Sequence, residues 1–215
     1  MAQEDVVLTK LTPRGNDCQL QISGLDKPLV VPVDTIHRYR LVESIVLTPS
    51  QLATLQTEAA RLACDRKASR LLSSREHSVG ELKLKLSRAG YQDDTVAEIV
   101  AKYRRLGLLD DTRFARMVAE SSLKRNPSGR AYLVSLLQKK LVPRTVAERT
   151  VSSVMQGLDE VDLAVQSLRK RWSSFSQLEL ERARQKAYNY LSRRGLGYAA
   201  AKAAFEKLCS EKQPE

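Results

Sequence analysis

The pattern of apolar and polar positions changes along the chain, from a two-residue period near the N-terminus to helical periods further on. Val6–Leu8 is a short apolar run, and Cys18–Ile22 alternates apolar and polar side chains as a half-buried strand does. Leu29–Val33 is a third candidate strand, and Pro13–Asp17 and Gly24–Lys27 have turn chemistry. The pattern predicts a small three-stranded meander, which must pack on the following helix because so small a sheet is unstable alone.

The first helices are predicted after residue 33. Asp34 can cap a short helical segment that ends near Leu41. Thr48 and Pro49 are typical of an N-cap followed by proline at the first helical position. Apolar residues then recur every three or four positions to about residue 72, which predicts one long helix.

Beyond residue 74 every segment has a helical period. Ser78 and Glu81 form a capping-box pattern, Gly90 and Gly157 are typical of helix ends, and Trp172 is an expected core anchor of the third helical unit. The predicted helices cover residues 78–89, 93–106, 111–125, 130–140, 143–156, 159–172, 176–195 and 198–210.

Residues 106–116 predict a buried elbow between two helices. Gly107 follows the first helix where a positive φ is favoured, and the leucines at 108 and 109 carry the chain through an apolar corner. Asp110 is the expected cap of the next helix, with Asp111 in its first turn and Phe114, Met117 and Val118 as its apolar positions. A metal site at the paired aspartates is disfavoured because no histidine or third acid stands nearby.

An internal repeat becomes visible when the predicted helices are aligned. Leu86, Leu137 and Leu191 are 51 and 54 residues apart, and basic residues follow each of them. The helix dipole alone explains basic helix ends, but it does not explain the recurring spacing. We therefore predict a mainly α fold of three tandem three-helix repeats in an elongated array, with a small N-terminal β extension. The predicted boundaries are 1–48 for the extension and 49–110, 111–158 and 159–215 for the three repeats.

The charge is concentrated in the helical part. The 215 residues contain 36 Lys and Arg against 25 Asp and Glu, a net charge of +11. Residues 1–65 carry 6 basic and 8 acidic residues, whereas residues 66–215 carry 30 and 17. A basic segment of this kind favours a polyanionic partner, nucleic acid first, although a generally soluble basic protein has the same balance.

Three cysteines and the absence of long apolar runs indicate the compartment. Cys18, Cys64 and Cys209 are far apart and have no zinc-site spacing, so free thiols in a reducing environment are expected. No apolar run approaches the roughly 18 residues of a membrane span, and no signal peptide opens the chain. We expect a soluble, cytoplasmic protein.

Three stretches of the sequence carry a family resemblance. Residues 75–90 follow the pattern R-x-x-S-x-x-E-L-x-x-x-L-x-x-x-G, residues 109–115 follow L-D-D-x-x-F-A, and residues 191–195 follow L-x-R-R-G. In this order and near this spacing they resemble the RecX regulators of the RecA recombinase. Where that family often has K-G-[IV] in its middle repeat, this chain has Lys140-Leu141-Val142, so we expect that helix to end differently.

The resemblance implies a non-enzymatic regulator without cofactor or metal, expected as a monomer. Such a protein binds RecA and its filament on single-stranded DNA and reduces strand exchange, ATP hydrolysis and co-protease activity, which affects DNA repair and the SOS response. Single-stranded DNA alone stays open as a second ligand. The candidate contacts are Lys83, Lys85, Arg88, Arg104, Arg105, Lys139, Lys140, Arg169, Lys170, Arg171, Arg193 and Arg194.

Two other classes compete with this interpretation. A helix-turn-helix protein that binds DNA directly is allowed by the charge, with Asp93–Arg105 as the recognition helix, but no helix concentrates Arg, Asn and Gln at its start. An enzyme is disfavoured because His37 and His77 have no nucleophile at a recognisable spacing and no glycine-rich phosphate loop is present.

Overall fold

The structure is a computed structural model that describes residues 5–211. The chain divides into two compact units. Unit 1 contains the described residues up to Glu76 together with Leu82–Leu109, and unit 2 contains His77–Glu81 together with the described residues from Asp110 onward. Unit 1 holds a small sheet and helices, whereas unit 2 is helical, so the predicted mainly α class with an N-terminal β segment is confirmed.

The sheet of unit 1 is an antiparallel meander in chain order. Strand β1 spans Leu8–Arg14, β2 spans Asp17–Ile22 and β3 spans Leu29–Pro32. The first strand was expected at Val6–Leu8, and that placement is wrong. The turn at Gly15, where φ is +64°, is tighter than expected and uses fewer residues. Strand β1 therefore continues to Arg14 and pairs with β2 up to the turn.

The sheet buries its apolar face against two helices. Helix α1 spans Val33–Tyr39 and α2 spans Pro49–Ser74. Asp34 does not cap α1, because the helix already begins at Val33 after Pro32, and Asp34 therefore lies in the first turn. The predicted cap of α2 is confirmed: the hydroxyl of Thr48 accepts a hydrogen bond from the backbone N–H of Gln51 at 3.2 Å. The core residues shared by sheet and helices are Leu8, Cys18, Leu20, Ile22, Val31, Leu41, Leu47 and Leu55.

Two further helices complete unit 1. Helix α3 spans Val79–Arg88, its first turn belonging to unit 2, and α4 spans Asp93–Arg105. Helix α4 packs on α2, and its predicted inward positions are confirmed as buried: Val96, Ile99, Val100 and Tyr103. At its polar border Lys102 Nζ donates to both carboxylate oxygens of Asp65 at 2.8 Å.

Seven helices form the remainder of unit 2 within the described residues. They are α5 (Asp111–Arg125), α6 (Arg130–Lys139), α7 (Arg144–Val154), α8 (Glu160–Arg169), α9 (Trp172–Phe175), α10 (Leu180–Arg193) and α11 (Tyr198–Ser210). The single helix expected over 159–172 is wrong, because α8 ends at Arg169 and Trp172 opens the short α9. The start expected at Ser176 is also wrong, since Glu179 accepts hydrogen bonds from the first N–H groups of α10.

The expected buried elbow is only partly correct. Leu109 is buried, but Leu106 and Leu108 are 57% and 53% exposed, because the turn at Gly107 points them away from the core. Asp110 caps α5 as predicted, accepting hydrogen bonds from two N–H groups of its first turn. The carboxylate of Asp111 has a contact the sequence did not indicate: it accepts a hydrogen bond from the Val79 N–H at 2.8 Å.

Two apolar clusters fill unit 2. The first lies among α5, α6 and α7 and contains Phe114, Ala115, Leu133, Leu137, Val142, Ala147 and Val151. The second joins α8, α9, α10 and α11, with Trp172 packed against its border and edge-on to Phe205 at 5.5 Å. Leu123 and Met155 border both clusters, so the helices of unit 2 share one continuous apolar interior.

Candidate partner-binding surface

Helices α3, α6 and α10 end in the same hydrogen-bonded turn. In each, the N–H of the residue five positions after a fully buried leucine donates to the carbonyl of that leucine. The donor and acceptor pairs are Tyr91 and Leu86, Val142 and Leu137, and Leu196 and Leu191, at 3.4, 3.1 and 3.1 Å. This is the bond of a Schellman-type helix end. The predicted recurrence of these leucines therefore corresponds to a recurrent local structure.

A left-handed residue stands at the same place in all three turns. Gly90, Leu141 and Gly195 have φ values of +88°, +58° and +71°. The expectation that α6 ends differently for want of glycine is wrong. A non-glycine residue in this region costs about 1–2 kcal/mol, and the Leu141 side chain is 41% exposed. A hydrogen bond from the Ser78 hydroxyl to the carbonyl of Lys140 holds the turn in place.

Two helix starts dock on two of these helix ends inside unit 2. The Ser78 hydroxyl donates to the carbonyl of Lys140 at 2.5 Å, and the Gly129 N–H donates to the carbonyl of Arg194 at 2.8 Å. Backbone lies against backbone at both junctions. A Cβ on Gly80 would stand 2.5 Å from the carbonyl oxygen of Leu141, and a Cβ on Gly129 would overlap the carbonyl oxygen of Gly195. Only glycine fits at either start.

The candidate cations of unit 1 lie near the ends of α3 and α4. Lys83, Arg88, Arg104 and Arg105 are exposed, whereas Lys85 is half-buried. The arginines of α4 precede the left-handed Gly107 and stand where the helix dipole favours positive charge. These side chains are accessible to a partner, and no described contact joins the α3 group to the α4 group.

In unit 2 the structure brings two of the candidate cations together. Lys139 of α6 and Arg193 of α10 line one open groove with a volume of 320 Å³. Tyr132, Ser135 and Ser192 contribute polar atoms to the same groove. Both cations are exposed, so the groove presents two positive charges beside hydrogen-bonding groups.

Four candidates serve contacts within unit 2 itself. The guanidinium of Arg194 lies 5.5 Å from the ring centroids of both Tyr132 and Tyr190, and Arg171 lies 5.3 Å from the second ring. Arg169 binds Glu211 at 2.7 Å, and Lys170 Nζ donates to the backbone carbonyl of Arg125 at 2.6 Å. These cation–π and ion-pair contacts hold side chains in place. Lys140, half-buried, contributes its carbonyl to the junction with Ser78.

Sequence reasoning missed a row of cations on α5. Met117 was expected in the core, but it is 44% exposed, because the buried side of α5 is formed by Phe114, Ala115 and Ala119. Arg116 lies next to Met117 on the exposed side, and Lys124 lies two turns further along it. The three- and four-residue spacing of these positions in the sequence indicates that they share one side of the helix.

The chemistry of an enzyme is not apparent in residues 5–211. His77 is fully buried. Burial, together with the smaller effect of the neighbouring Asp65 carboxylate, raises the pKa of the Cys64 thiol to about 11. A thiol with so high a pKa is a poor nucleophile. Among the described residues, no group of three His, Cys, Asp or Glu side chains is arranged to hold a metal, and no helix is long and apolar enough to cross a membrane.

Comparison with known proteins identifies the family. Residues 66–102 match the family model of the first three-helix domain of RecX. The chain is 33% identical over 141 residues to regulatory protein RecX of Pelodictyon phaeoclathratiforme, which covers 66% of this chain and 86% of that protein. It is 32% identical over 139 residues to regulatory protein RecX of Prosthecochloris aestuarii, which covers 64% and 87%.

A solved structure shares the fold. The crystal structure of a regulatory protein RecX superposes with a TM-score of 0.70 at 17% identity, covering 94% of this chain and 99% of the other. The sequence matches and the shared fold agree with the motifs at residues 75–90 and 109–115. This chain therefore belongs to the RecX family of regulatory proteins.

Proposed function

We propose that this chain binds the RecA recombinase and its filament on single-stranded DNA and restrains it. Restraint means less strand exchange, ATP hydrolysis and co-protease activity, with consequences for DNA repair and the SOS response in the cytoplasm. Membership of a regulatory family and the sequence motifs support this proposal. The chain acts by binding and performs no chemical step.

The observation that carries the proposal is the register of three cations. Arg88, Lys139 and Arg193 each stand two residues after the buried leucine of a recurrent helix end, and each is exposed. Because the three cations occupy the same position in the same type of turn, each can make the same kind of contact with a partner. A protein filament offers such a partner, since it repeats its own surface at regular intervals. We expect these cations to meet acidic protein surface or phosphate. Arg104 and Arg105, exposed at the end of α4, are further candidate contacts.

The repeat boundaries belong to the same proposal. Helices α2–α4, α5–α7 and α8–α11 fall within 49–110, 111–158 and 159–215, and α3, α6 and α10 are the helices that end in the recurrent turn. The recurrent turn and the two glycine junctions support this division.

The test is the ATPase activity of RecA on single-stranded DNA with substoichiometric amounts of this protein. The variant reverses the three equivalent cations: Arg88→Glu, Lys139→Glu and Arg193→Glu. Its matched control reverses three exposed cations of unit 2 that lie outside the recurrent helix ends: Arg149→Glu, Arg182→Glu and Lys186→Glu. Both variants have the same net charge, so a difference between them is positional.

We expect wild type to inhibit at low ratios, the control to stay close to wild type, and the helix-end variant to need about tenfold more protein for equal inhibition. Unchanged helical circular dichroism shows that both variants are folded. Full inhibition by the helix-end variant contradicts the assigned surface, and no inhibition by wild type at any ratio contradicts the function.

Direct recognition of duplex DNA is less well supported. Helix α4, the candidate recognition helix, opens with Asp93 and Asp94 in its first turn. Carboxylates at that end repel the phosphates that flank a major groove. A footprint on one duplex sequence, without any effect on RecA, would favour this alternative.

A further inference from the structure

The exposed side of α5 carries a surface that the proposed function does not use. Arg113, Arg116, Met117, Glu120 and Lys124 recur at intervals of three, one, three and four residues and therefore share one side of the helix. They line an open hollow of 540 Å³. From Arg113 to Lys124 this side of the helix is about 17 Å long, at a rise of about 1.5 Å per residue. We name this side of α5 the α5 face.

The α5 face combines strong positive charge with an exposed apolar group. Its lining contains the cations Arg113, Arg116, Lys124 and Arg125 and one carboxylate, that of Glu120. The side chain of Arg116 is 51% exposed and approaches Glu120 only at 4.0 Å. Met117 lies among these cations, 44% exposed.

Contacts within α5 and from neighbouring elements hold the α5 face in shape. The Arg116 guanidinium donates to the Ser153 hydroxyl of α7 at 3.4 Å, and the Arg125 side chain donates to the Ser121 carbonyl at 3.3 Å. The last turn of α5 is fixed by Lys170, which binds the Arg125 carbonyl at 2.6 Å. A surface that is ordered before binding loses less conformational entropy when a partner arrives.

We propose that the α5 face is a docking site for an acidic peptide segment that carries an apolar anchor. Four cations attract a segment rich in Asp and Glu, and the flexible thioether of Met117 accommodates aliphatic or aromatic side chains of varied shape. Single-stranded nucleic acid fits less well, because the lining offers no aromatic ring on which a base stacks and places the Glu120 carboxylate where a phosphate chain would pass.

The experiment measures binding of the full chain to three fluorescein-labelled probes by anisotropy. The first probe is a peptide of about twelve residues in which Glu and Asp alternate with leucine, the second replaces leucine with serine, and the third is an oligothymidylate of similar charge. The face variants are Arg116→Glu with Lys124→Glu, and Met117→Ser. The matched control is Arg149→Glu with Arg182→Glu, which has the same net charge as the double face variant.

We expect the acidic leucine peptide to bind best. Its affinity falls about tenfold with the double reversal and about threefold to fivefold with Met117→Ser, while the control stays within about twofold of wild type. Because the altered side chains are exposed, circular dichroism and the Tm are expected to stay unchanged.

Four results would overturn the proposal. They are no binding of the leucine peptide, equal binding of the serine peptide, an equal loss in the control variant, and tighter binding of the oligothymidylate that is lost with the double face reversal. None of these requires RecA, so the outcome is independent of the ATPase test of the proposed function.

Discussion

The glycine junction between α6 and α10 permits a prediction that separates contact from conformation. Gly129 has an ordinary φ of −79°, so alanine there is not strained by its own backbone. Its Cβ, however, would overlap the carbonyl oxygen of Gly195 and stand 2.6 Å from the carbonyl carbon. The start of α6 must then move by about 1.5 Å to restore ordinary contact distances of about 3.5 Å.

The expected loss in the free energy of unfolding can be worked out from two costs and one gain. Overpacking of a close contact costs about 1–3 kcal/mol, and weakening the 2.8 Å bond from the Gly129 N–H to the Arg194 carbonyl costs about 1 kcal/mol. Alanine recovers about 0.4–1 kcal/mol by restricting the unfolded chain. We therefore expect Gly129→Ala to lower the free energy of unfolding of unit 2 by about 2–3 kcal/mol.

Gly157→Ala is the matched control in the same unit. Its φ of +77° makes alanine strained, but nothing lies within 4 Å of the added Cβ. The left-handed strain of about 1–2 kcal/mol is partly offset by the same entropy gain, which leaves a net loss of about 1 kcal/mol. Contact at Gly129 should therefore cost more than strain at Gly157.

The assay is urea unfolding followed by the emission of Trp172, the sole tryptophan, which lies in unit 2. Gly80→Ala, which meets the Leu141 carbonyl oxygen at 2.5 Å, should rank with Gly129→Ala. If Gly129→Ala lowers the free energy of unfolding no more than Gly157→Ala does, the close backbone contact at Gly129 does not constrain the junction.

Three further predictions concern single side chains. Ser78→Ala should cost about 2 kcal/mol in urea unfolding, because Ser78 Oγ donates to the Lys140 carbonyl and accepts from the Glu81 N–H; no change would refute the role of the hydroxyl. Ser128→Ala should be neutral or stabilising by up to about 1 kcal/mol, because the buried Ser128 Oγ has no hydrogen-bond partner among the described residues, and a loss as large as that of Ser78→Ala would be inconsistent with this. With its pKa raised to about 11, Cys64 should react with a thiol reagent at pH 8 at least about 100-fold more slowly than in the unfolded chain. Equal labelling rates in the native and the unfolded chain, measured by mass spectrometry, would refute the burial of Cys64. The same raised pKa contributes stability that is complete below about pH 9 and is lost as the pH rises towards 11.

Much of the fold could be predicted because local signals and tertiary structure agree. The capping box at Thr48, the cap at Asp110 and the inward positions of α4 depend on neighbours within one or two turns. Such features follow from hydrogen bonding and helical period alone. The recurrence of Leu86, Leu137 and Leu191 was visible for the same reason, since each buried leucine lies in the last turns of its own helix.

The errors come from contacts between distant parts of the chain. Leu141 adopts a left-handed conformation that its sequence disfavours, and the docked start of α3 at Gly80 accompanies it. Met117 has the spacing of a core residue, but the interior of unit 2 is filled by Phe114 and Ala115. No local pattern reports these outcomes, because they depend on which side of a helix its neighbours cover.

The candidate surface shows the same division. The sequence placed cations at helix ends, and Arg88, Lys139 and Arg193 are exposed there. It did not distinguish them from Arg194, which follows in the sequence yet stacks between two tyrosine rings. The difference between a free and a stacked guanidinium depends on aromatic residues from two helices that only the structure places together.

Site-specific crosslinking asks whether the recurrent helix ends contact the RecA filament. A photoreactive benzoylphenylalanine is placed at Arg88, Lys139 or Arg193 and, as a control, at Arg149, and each protein is irradiated with RecA assembled on single-stranded DNA. We expect crosslinks to RecA or its DNA from the three helix-end positions and little from position 149. Crosslinks from position 149 alone, or equal yields at all four positions, would mean that the helix ends do not form the binding surface.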